Sequence, residues 1–427
     1  MNIGCIFKRN IFWLKDSILN KGLIYKQYKE ILKVNNACDV KFEYEKLQEI
    51  KEFAINNTEF YKNYAVDSEF PVMNKTAYIH NKELIESHMY KSSKNNHVSS
   101  TSGSTGIPFS VVQNYEKRCR TIADLKVFGK IIGYKSHDKM VCLRAYYGKV
   151  LDRNVDKRDN IWRIDVSNLN NVKINEIIIE IQEQRPTAIL GYVSALETIA
   201  KFIHENNITL QIKELKSIIT VSEGLSEESR KDISKAFGDI MVYDRYTNME
   251  MGMIAQREES GMFKINQASY FIEVLKLDNN DCADNDEIGR IVITDLYNKA
   301  FPMIRYDTGD LGIMSVSTNG IYLKKILGRH MDIIFSTSGE LLNPHGIDNI
   351  MHGVKGIMQW QFIQKERIKY QLLYIASEHY DIELDDVILR IKSQVGNDAV
   401  IEFMKIDAIP EGNSYKRKPI INEWKKN

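Results

Sequence analysis

The sequence predicts an α/β protein: a large N-terminal domain with parallel-rich sheets flanked by helices, followed by a small, mobile C-terminal α+β domain. A chain of 427 residues exceeds the usual size of one hydrophobic core. Between residues 139 and 243, short apolar segments alternate with helical patterns, which is typical of a largely parallel sheet. After Gly328 the pattern changes to that of a smaller domain. We therefore expect the large domain to span 1–328 and the small domain to span 329–427.

The large domain is expected to begin with a mostly helical part at residues 1–95, where apolar side chains recur at helical spacing. A further helix should run from Asn114, a favourable N-cap residue, to about Gly129. Residues 303–306 are expected to form a strand that ends in a turn at Asp307–Asp310, because Asp, Thr and Gly favour turns. The other expected elements of this domain are strands at 140–143, 187–190, 218–221, 240–243, 271–275 and 290–294, with helices around 196–203 and 226–238.

The small domain is expected to combine a hairpin with a helix and a last strand. Two short apolar segments, 359–363 and 370–375, are expected to pair as the hairpin. Leu384–Val395 has the pattern of an amphipathic helix, and residues 400–404 that of a strand.

Composition and charge narrow the function classes. The chain has 58 Lys and Arg against 57 Asp and Glu, a net charge of +1, so we expect no nucleic-acid partner and no membrane partner. No segment approaches the roughly 20 uncharged apolar residues of a membrane span. Five scattered cysteines, none in a Cys-x-x-Cys pair, fit a reducing compartment, and no secretory pattern begins the chain. We therefore expect a cytoplasmic protein.

The segment Thr101–Pro108 is the first candidate for binding chemistry. Its glycines let the backbone approach an anion closely, and its hydroxyl and amide groups are donors that suit a polyphosphate. It is not a Walker loop, because Gly-Lys-Ser/Thr is absent. The alternative is a flexible Ser/Gly linker, which composition alone favours. The candidate residues are Thr101, Ser102, Gly103, Ser104, Thr105 and Gly106.

Two further candidate segments directly follow predicted parallel strands, where ligands bind in such sheets. One is Ser222–Gly224 and the other is Asp244–Gly252. In the second segment, Glu250 could hold Mg²⁺ that is bridged to phosphates, and Tyr246 could stack on a base. The alternative for the second segment is a surface turn with a solvated glutamate.

Three more candidates lie towards the end of the chain. Asp310 could accept hydrogen bonds from ribose hydroxyls, although an Asp-Thr-Gly-Asp turn is the simpler interpretation. Arg329 could meet phosphate or ribose at the domain boundary, or form an ordinary ion pair. Lys416 could swing onto a developing negative charge, or belong to a solvated basic tail.

Taken together and in this order, the segments resemble the adenylate-forming superfamily of acyl- and aryl-CoA ligases, adenylation domains and luciferases. The resemblance is greatest to phenylacetate–CoA ligase-like proteins, in the branch associated with capsular polysaccharide biosynthesis. It covers roughly residues 40 to 421. The segments that point to this branch are Phe70–Lys75, Gly191–Leu196, Thr294–Asn298 and Phe301–Tyr306.

The resemblance implies a role for each candidate. The 101–108 loop would hold the β- and γ-phosphates of ATP, Glu250 would bind Mg²⁺, and Asp310 would hold the ribose. Arg329 would contact ribose or phosphate near the hinge, and Lys416 would bridge the carboxylate and the α-phosphate. In relatives a glycine often directly precedes this lysine, whereas Tyr415 precedes Lys416 here. Lys418 is therefore the alternative for that role. The implied adenine pocket consists of Ser222, Glu223, Gly224, Asp244, Arg245 and Tyr246.

The implied reaction is ATP-dependent activation of a carboxylic acid to acyl-AMP with release of pyrophosphate, followed by transfer to an acceptor. CoA is the first expected acceptor, and an amine, a sugar or a carrier protein is the alternative acceptor. The second alternative for the function is a non-catalytic nucleotide-binding homologue. The substrate pocket is expected at Tyr146, Tyr147, Tyr192 and Asn248, where tyrosines favour an aryl acid.

Some relatives bind zinc shortly after the segment that corresponds to Glu250. Here Arg257 and Lys264 stand at about the positions of those ligands, so no zinc is expected. The expected cofactors are ATP and Mg²⁺, and a homodimer is left open.

Overall fold

We analysed a computed structural model, which describes residues 3–37, 39–100, 109–146, 149–317, 320–329, 334–342, 345–352, 354, 356–376, 382–407, 409 and 420–424. The contacts between residues divide the chain into two compact units. The large unit comprises 1–223, 232–308 and 312–326, and the small unit comprises 224–231, 309–311 and 327–427.

Twelve helices occur in the part of the chain that the structure describes. They are α1 (Ile3–Leu19), α2 (Leu23–Ala37), α3 (Val40–Asn57), α4 (Lys75–His80), α5 (Lys82–Ile85), α6 (Tyr115–Ile131), α7 (Arg153–Asp159), α8 (Asn171–Gln184), α9 (Val193–Glu205), α10 (Glu227–Ala236), α11 (His345–His352) and α12 (Leu384–Val395). None of these described helices is long and apolar enough to cross a bilayer.

The strands alternate with these helices along the chain. They are β1 (Met73–Asn74), β2 (His97–Ser100), β3 (Ser110–Gln113), β4 (Met140–Arg144), β5 (Ile161–Asp165), β6 (Ala188–Tyr192), β7 (Ser217–Val221), β8 (Val242–Asn248), β9 (Gly252–Arg257), β10 (Phe263–Ile265), β11 (Tyr270–Leu275), β12 (Ile288–Asp295), β13 (Tyr306–Ser317), β14 (Gly320–Arg329), β15 (Ile334–Phe335), β16 (Leu341–Leu342), β17 (Ile357–Gln364), β18 (Lys369–Ala376), β19 (Val400–Lys405) and β20 (Ile420–Asn422).

The first three helices surround one side of the large unit. The Asp16 carboxylate accepts hydrogen bonds from the amides of Ile24 (3.2 Å) and Tyr25 (2.9 Å), so the last turn of α1 caps the start of α2. Ile31 and Val34 of α2 are buried in one apolar cluster with Val127 and neighbouring residues of α6. The helical layer is therefore joined to the body of the unit by apolar burial as well as by capping.

A twelve-stranded sheet runs through the chain in the order β11-β12-β13-β14-β10-β9-β8-β7-β6-β4-β5, with β1 paired to β13. The strands β5, β4, β6, β7 and β8 are parallel to one another. Strand β7 is buried along its whole length, as expected for a parallel strand that is covered on both faces. The parallel sheet predicted from the alternation between 139 and 243 is confirmed.

The segment around Arg305 differs from the prediction. The expected strand at 303–306 is absent; β13 instead begins at Tyr306 and includes Asp307–Asp310, which were expected to form a turn. Arg305 adopts a left-handed backbone with φ of 51°, and its amide donates to Thr294 Oγ1 at 3.0 Å. The parallel pairing of β1 with Tyr306 and Asp307 extends the chain where residue types alone favour a turn.

The small unit contains a four-stranded sheet in the order β19-β18-β17-β20. Strands β17 and β18 form the predicted antiparallel hairpin, and β19 and α12 occupy the predicted segments. The side chains of Phe362, Leu372 and Ile391 are completely buried in the core of this unit. The predicted α+β character of the small domain is confirmed.

Buried charges join α6 to the sheet of the large unit. Lys117 Nζ lies 2.7 Å from Asp295 Oδ2, and both side chains are fully buried. One turn further along α6, Arg120 donates to Glu30 Oε1 (2.6 Å) and to Ser269 Oγ (2.8 Å). Removing one partner of such a pair leaves an uncompensated buried charge, which typically costs about 3–5 kcal/mol.

Glu43 of α3 is a buried carboxyl group whose contribution to stability depends on pH. Gln267 Nε2 donates to Glu43 Oε2 at 3.2 Å, and burial raises the pKa of Glu43 to about 7. Because this pKa lies above that of the unfolded chain, the contribution is fully present below the unfolded pKa. It is lost as the pH rises through about 7, and the loss is about 3 kcal/mol.

We expect Glu43→Gln to remove this loss, because the amide stays neutral at every pH. Urea unfolding at about pH 8 should show the variant to be more stable than the parent by roughly 2–3 kcal/mol, and the gap should close at about pH 4. Glu45→Gln, at an exposed position of the same helix, is the matched control and should leave the pH profile unchanged. If the free energy of unfolding depends on pH in the same way for the parent and for Glu43→Gln, the raised pKa of Glu43 is contradicted.

Candidate functional site

The site is built at the edge where the parallel strands end. In the register of the sheet, Leu143 is paired with Gly191, Tyr192 with Val221, and Thr220 with Asp244. The carboxyl ends of β4, β6, β7 and β8 therefore lie side by side. Residues that follow these strands are brought to one edge although they are separated by many positions in sequence.

The alternation of side chains along β8 divides the predicted adenine-pocket residues between two faces. Asp244 Oδ1 accepts a hydrogen bond from Thr220 Oγ1 at 3.1 Å, and the Tyr246 hydroxyl donates to Thr308 Oγ1 at 3.3 Å. Arg245, between them, is buried, and its Nε donates to Gln256 Oε1 at 2.7 Å. Burial lowers the pKa of Arg245 to about 10.

The structure thus keeps Asp244 and Tyr246 on one face of β8 and turns Arg245 to the other. There its partner Gln256 donates onward to the carbonyl of Phe128 in α6, at 3.2 Å. The Arg245 side chain therefore lies apart from those of Asp244 and Tyr246, and its place in the adenine pocket stays a prediction. Its side chain links the sheet to α6 through Gln256, as expected from the two-residue period of a strand.

Glu223 is engaged at the start of a helix. Its Oε2 accepts from the Ser194 amide at 2.8 Å and its Oε1 accepts from the Ser194 hydroxyl at 3.1 Å, in the first turn of α9. Ser222, just before it, has a left-handed backbone with φ of 74°, which turns the chain out of β7. A carboxylate at a helix N-terminus satisfies free amides and complements the helix dipole. Gly224, the third predicted residue of this segment, and Asp310 are grouped with the small unit.

Glu250 lies in the tight turn between β8 and β9 and is nearly buried. The Tyr306 hydroxyl lies 3.5 Å from Glu250 Oε1, in position to donate to it. Asn248 Oδ1 accepts the amide hydrogen of Met251 at 2.8 Å, so the side chain predicted to line the substrate pocket holds this turn. Tyr306 cannot be recognised from the sequence as a partner of Glu250, because their contact depends on the pairing of β13.

The hairpin of β2 and β3 flanks the predicted phosphate loop and is tied to the Glu250 turn. Ser99 Oγ donates to the Met249 carbonyl at 2.6 Å, and Gln113 Nε2 donates to the Glu250 carbonyl at 3.3 Å. The loop itself, 101–108, lies outside the described residues. Its two flanking strands are nevertheless fixed to the backbone of the turn that carries the predicted magnesium ligand.

The base of this hairpin is held by the segment Thr294–Asn298. Asn298 Nδ2 donates to the Val112 carbonyl at 3.0 Å, and the Asp295 carboxylate accepts the amide of Asn298 at 3.2 Å. Asp295 is also the buried partner of Lys117. A motif that supports the family resemblance therefore has a structural role: it joins α6 to the strand that follows the phosphate loop.

The predicted substrate-pocket tyrosines follow β4 and end β6. The Tyr146 amide donates to Asp165 Oδ1 at 2.8 Å, and its hydroxyl contacts Cys142 Sγ at 3.7 Å. Burial raises the pKa of Tyr192, and the nearby Arg144 guanidinium opposes that rise. The Nε of Arg144 is buried and finds no acceptor among the described residues. Tyr147 lies outside the described residues.

Several predicted residues cannot be placed in this geometry. Lys416 and its alternative Lys418 fall outside the described residues, as does the loop with Thr101, Ser102, Gly103, Ser104, Thr105 and Gly106. Arg329 is the last residue of β14, and its side chain is likewise outside the description. Within the described ranges, no group of three or more His, Cys, Asp or Glu side chains is arranged to hold a metal.

Several solved structures have a similar fold. Over 89% of both chains, the structure is similar to 2-hydroxyisobutyryl-CoA ligase in the postadenylation state with 2-HIB-AMP (TM-score 0.71, 19% identity). It is also similar to ATP-bound MatB from Rhodopseudomonas palustris (TM-score 0.54, 15% identity, 76% of this chain and 65% of that chain). A third similar structure is the anthranilate CoA ligase AuaEII with anthranoyl-AMP (TM-score 0.55, 13% identity, 75% and 64%). The fold is that of the adenylate-forming ligases.

Sequence comparison then indicates the branch. Residues 334–423 match the CapK C-terminal domain family. The chain is 24% identical to Protein CapK of Staphylococcus aureus over 452 aligned positions, which cover 98% of each chain. The resemblance to the adenylate-forming superfamily in its capsule-associated branch, inferred above from the sequence, is confirmed.

The geometry of Glu223 predicts that its carboxylate stabilises the fold. We expect Glu223→Ala to lower the free energy of unfolding by about 1–2 kcal/mol, because the first turn of α9 loses its acceptor. Urea unfolding of this variant, of Ser194→Ala and of the double variant forms a double-mutant cycle. A coupling of about 0.5 kcal/mol or more is expected. If the losses of unfolding free energy in the two single variants simply add up in the double variant, the capping of α9 by Glu223 is contradicted.

Proposed function

We propose that the protein activates a carboxylic acid with ATP to give an acyl adenylate, and then transfers the acyl group to an acceptor. The observation that carries the proposal is the attachment of the β2–β3 hairpin to the Glu250 turn, through Ser99 and Gln113. This attachment joins the strands around a Ser/Thr/Gly loop to a carboxylate at the carboxyl edge of a parallel sheet. A polyphosphate held by such a loop would lie beside that carboxylate.

In the proposed first step, a carboxylate oxygen of the substrate attacks the α-phosphorus of ATP. The new bond joins that oxygen to phosphorus, the bond from phosphorus to the bridging oxygen breaks, and pyrophosphate leaves with the electron pair. Two anions must approach each other, so the site has to offset negative charge as it develops. In this proposal Lys416 supplies the positive charge beside the α-phosphate, and no side-chain nucleophile is required.

Glu250 is the proposed ligand of Mg²⁺. A site with one carboxylate suits this ion, which is commonly held by one or two carboxylates together with the phosphates of the substrate. When bound, the ion would neutralise part of the phosphate charge. The contact with the Tyr306 hydroxyl orients the Glu250 carboxylate, and Asn248 holds the turn from which it projects.

The nucleoside would be held by residues of several segments. Asp244 and Tyr246, which share one face of β8, are proposed to line the adenine pocket with Ser222 and the backbone of Glu223 and Gly224. Asp310 is proposed to hold the ribose, and Arg329 to contact ribose or phosphate. Within the large unit, the Tyr246 hydroxyl bonds to Thr308, which fixes the ring of Tyr246 on this face of β8.

The acid is proposed to lie beside Tyr146, Tyr147 and Tyr192. A buried guanidinium nitrogen without an acceptor is costly unless a ligand supplies one, so Arg144 favours an acid with an acceptor group besides its reacting carboxylate. Two of the similar ligases are named for 2-hydroxyisobutyryl-CoA and for anthranilate. The first acid carries a hydroxyl substituent and the second an amino substituent. We therefore propose a flat or compact acid that carries a polar substituent.

CoA is the first proposed acceptor, since similar structures contain CoA with the adenylate. The match of residues 334–423 to the CapK C-terminal domain supports a second candidate, transfer to an amine, sugar or carrier protein during polysaccharide assembly. The four described cysteines are free thiols, which supports a reaction in the cytoplasm.

Exchange of labelled pyrophosphate into ATP, measured with a panel of carboxylic acids, tests the proposed function. Exchange is expected only with an acid present, and most strongly with acids that carry a second polar group. Arg144→Gln should raise the KM for those acids by on the order of tenfold, because a charge-assisted hydrogen bond is lost, and should leave the KM for ATP nearly unchanged. Absence of exchange with every acid would favour the non-catalytic alternative.

The acceptor is tested in a second experiment, in which CoA, and then candidate amines or sugars, are added to the reaction with the best acid.

The catalytic lysine is tested by two variants that differ by two positions. Lys416→Ala should lower the exchange rate by roughly a hundredfold or more, because the developing charge loses its counter-ion. ATP affinity should change far less, since the lysine acts mainly on the transition state. Lys418→Ala is the matched control and should retain most of the exchange. If Lys418→Ala loses exchange and Lys416→Ala retains it, the role belongs to Lys418. Full exchange activity in both variants would contradict the mechanism.

A further inference from the structure

Helix α1 presents two pairs of exposed apolar side chains on one face, with the exposed Asn10 on the same side between the pairs. Ile3, Phe7, Leu14 and Ile18 are 83%, 65%, 61% and 69% exposed. At about 100° per residue these four side chains fall within an arc of about 60°. We call them the outer stripe of α1. Scattered exposed apolar residues are ordinary on a protein surface, but four aligned on one helix face mark an interaction surface.

The opposite face of α1 is fixed to the large unit, so the outer stripe cannot turn inward. Arg9 donates to Asp138 Oδ1 and to the Ser136 carbonyl, at 2.5 and 2.8 Å. The Phe12 ring lies 3.8 Å from Lys126 Nζ, measured to its centroid. The buried carboxylate of Asp16 caps α2. The helix is therefore held by one face while the other remains uncovered by the described residues.

The segment that contains the outer stripe is basic in sequence, although the whole chain has a net charge of only +1. Asp16 is the one acidic residue in positions 1–29, and it is buried in the cap of α2. Lys15 is next to Leu14 on α1, Lys21 follows the end of the helix, and no exposed acidic residue of this segment offsets their charge. The six basic residues of this segment are Lys8, Arg9, Lys15, Lys21, Lys26 and Lys29, of which the last four are exposed.

We propose that the outer stripe of α1 docks on the surface of an anionic lipid bilayer. An amphipathic helix that lies in the interface buries its apolar residues at the boundary of the acyl chains, and its flanking lysines meet the headgroups. Lys15 and Lys21 have long stems that let their ammonium groups remain in that polar layer. The helix has 17 residues and includes charged ones, so it lies on the bilayer and does not cross it.

Charge favours the lipid surface over a second copy of the chain. In a twofold contact between identical stripes, the same lysines of both copies would approach one another, and no exposed acidic residue of α1 would compensate them. An anionic bilayer supplies the opposite charge over the whole face. Docking would bring an otherwise near-neutral protein to a membrane surface through one helix.

Sedimentation with lipid vesicles tests this inference with the full chain and needs no activity. We expect the protein to sediment with vesicles of equimolar phosphatidylcholine and phosphatidylglycerol, and to bind vesicles of phosphatidylcholine alone at least about tenfold more weakly. Raising the salt concentration should reduce the bound fraction on the anionic vesicles. Failure to sediment with the anionic vesicles at low salt would overturn the proposal.

Two variants and a matched control separate docking from general stickiness. Phe7→Ser with Leu14→Ser should weaken binding by on the order of tenfold, and Lys15→Gln with Lys21→Gln should do the same while retaining the apolar stripe. Val172→Ser with Ile179→Ser removes two exposed apolar residues from α8 and should have no effect. If the control variant loses as much vesicle binding as Phe7→Ser with Leu14→Ser, the proposal is contradicted. An ultracentrifugation result in which the parent is a dimer that Phe7→Ser with Leu14→Ser converts to monomers would also contradict it.

Discussion

The parallel pairing of β6, β7 and β8 is the constraint on which the rest of the site depends. Pairing of Tyr192 with Val221 and of Thr220 with Asp244 puts the ends of these strands at one edge. Strand β6 continues into α9, β7 continues into Glu223, which caps that helix, and β8, which carries Asp244 and Tyr246, continues into the turn of Glu250. A shift of register by one residue would reverse these faces and bring Arg245 to the site in place of its neighbours.

A second line of contacts connects the core to the hairpin around the phosphate loop. The buried pair of Lys117 and Asp295 holds α6 to the end of β12, Asp295 accepts the amide of Asn298, and Asn298 donates to Val112 of β3. Ser99 and Gln113 then tie the hairpin to the Glu250 turn. The segment 101–108 is thus flanked by backbone held from two directions. Preorganised attachment of this kind limits the freedom that binding of a polyphosphate would otherwise have to remove.

The two proposals rest on separate parts of the large unit. Adenylate formation depends on the carboxyl edge of the sheet, whereas the proposed docking surface depends on the outward face of α1. Neither proposal requires the other, because vesicle binding and pyrophosphate exchange report on different residues.

The sequence by itself determined the alternating strands and helices, the order of the candidate segments, and four elements of the small domain, namely β17, β18, α12 and β19. These features depend on local periodicity and on residue types at short spacing, which a single chain displays directly. It could not decide that Asp307–Asp310 belongs to a strand, that Arg245 faces away from Asp244, or that Glu223 caps α9. Nor could it show that Tyr306 contacts Glu250, or that the described part of the chain leaves four apolar residues of α1 exposed. Those outcomes depend on pairing and packing between distant segments, so only the tertiary structure decided them.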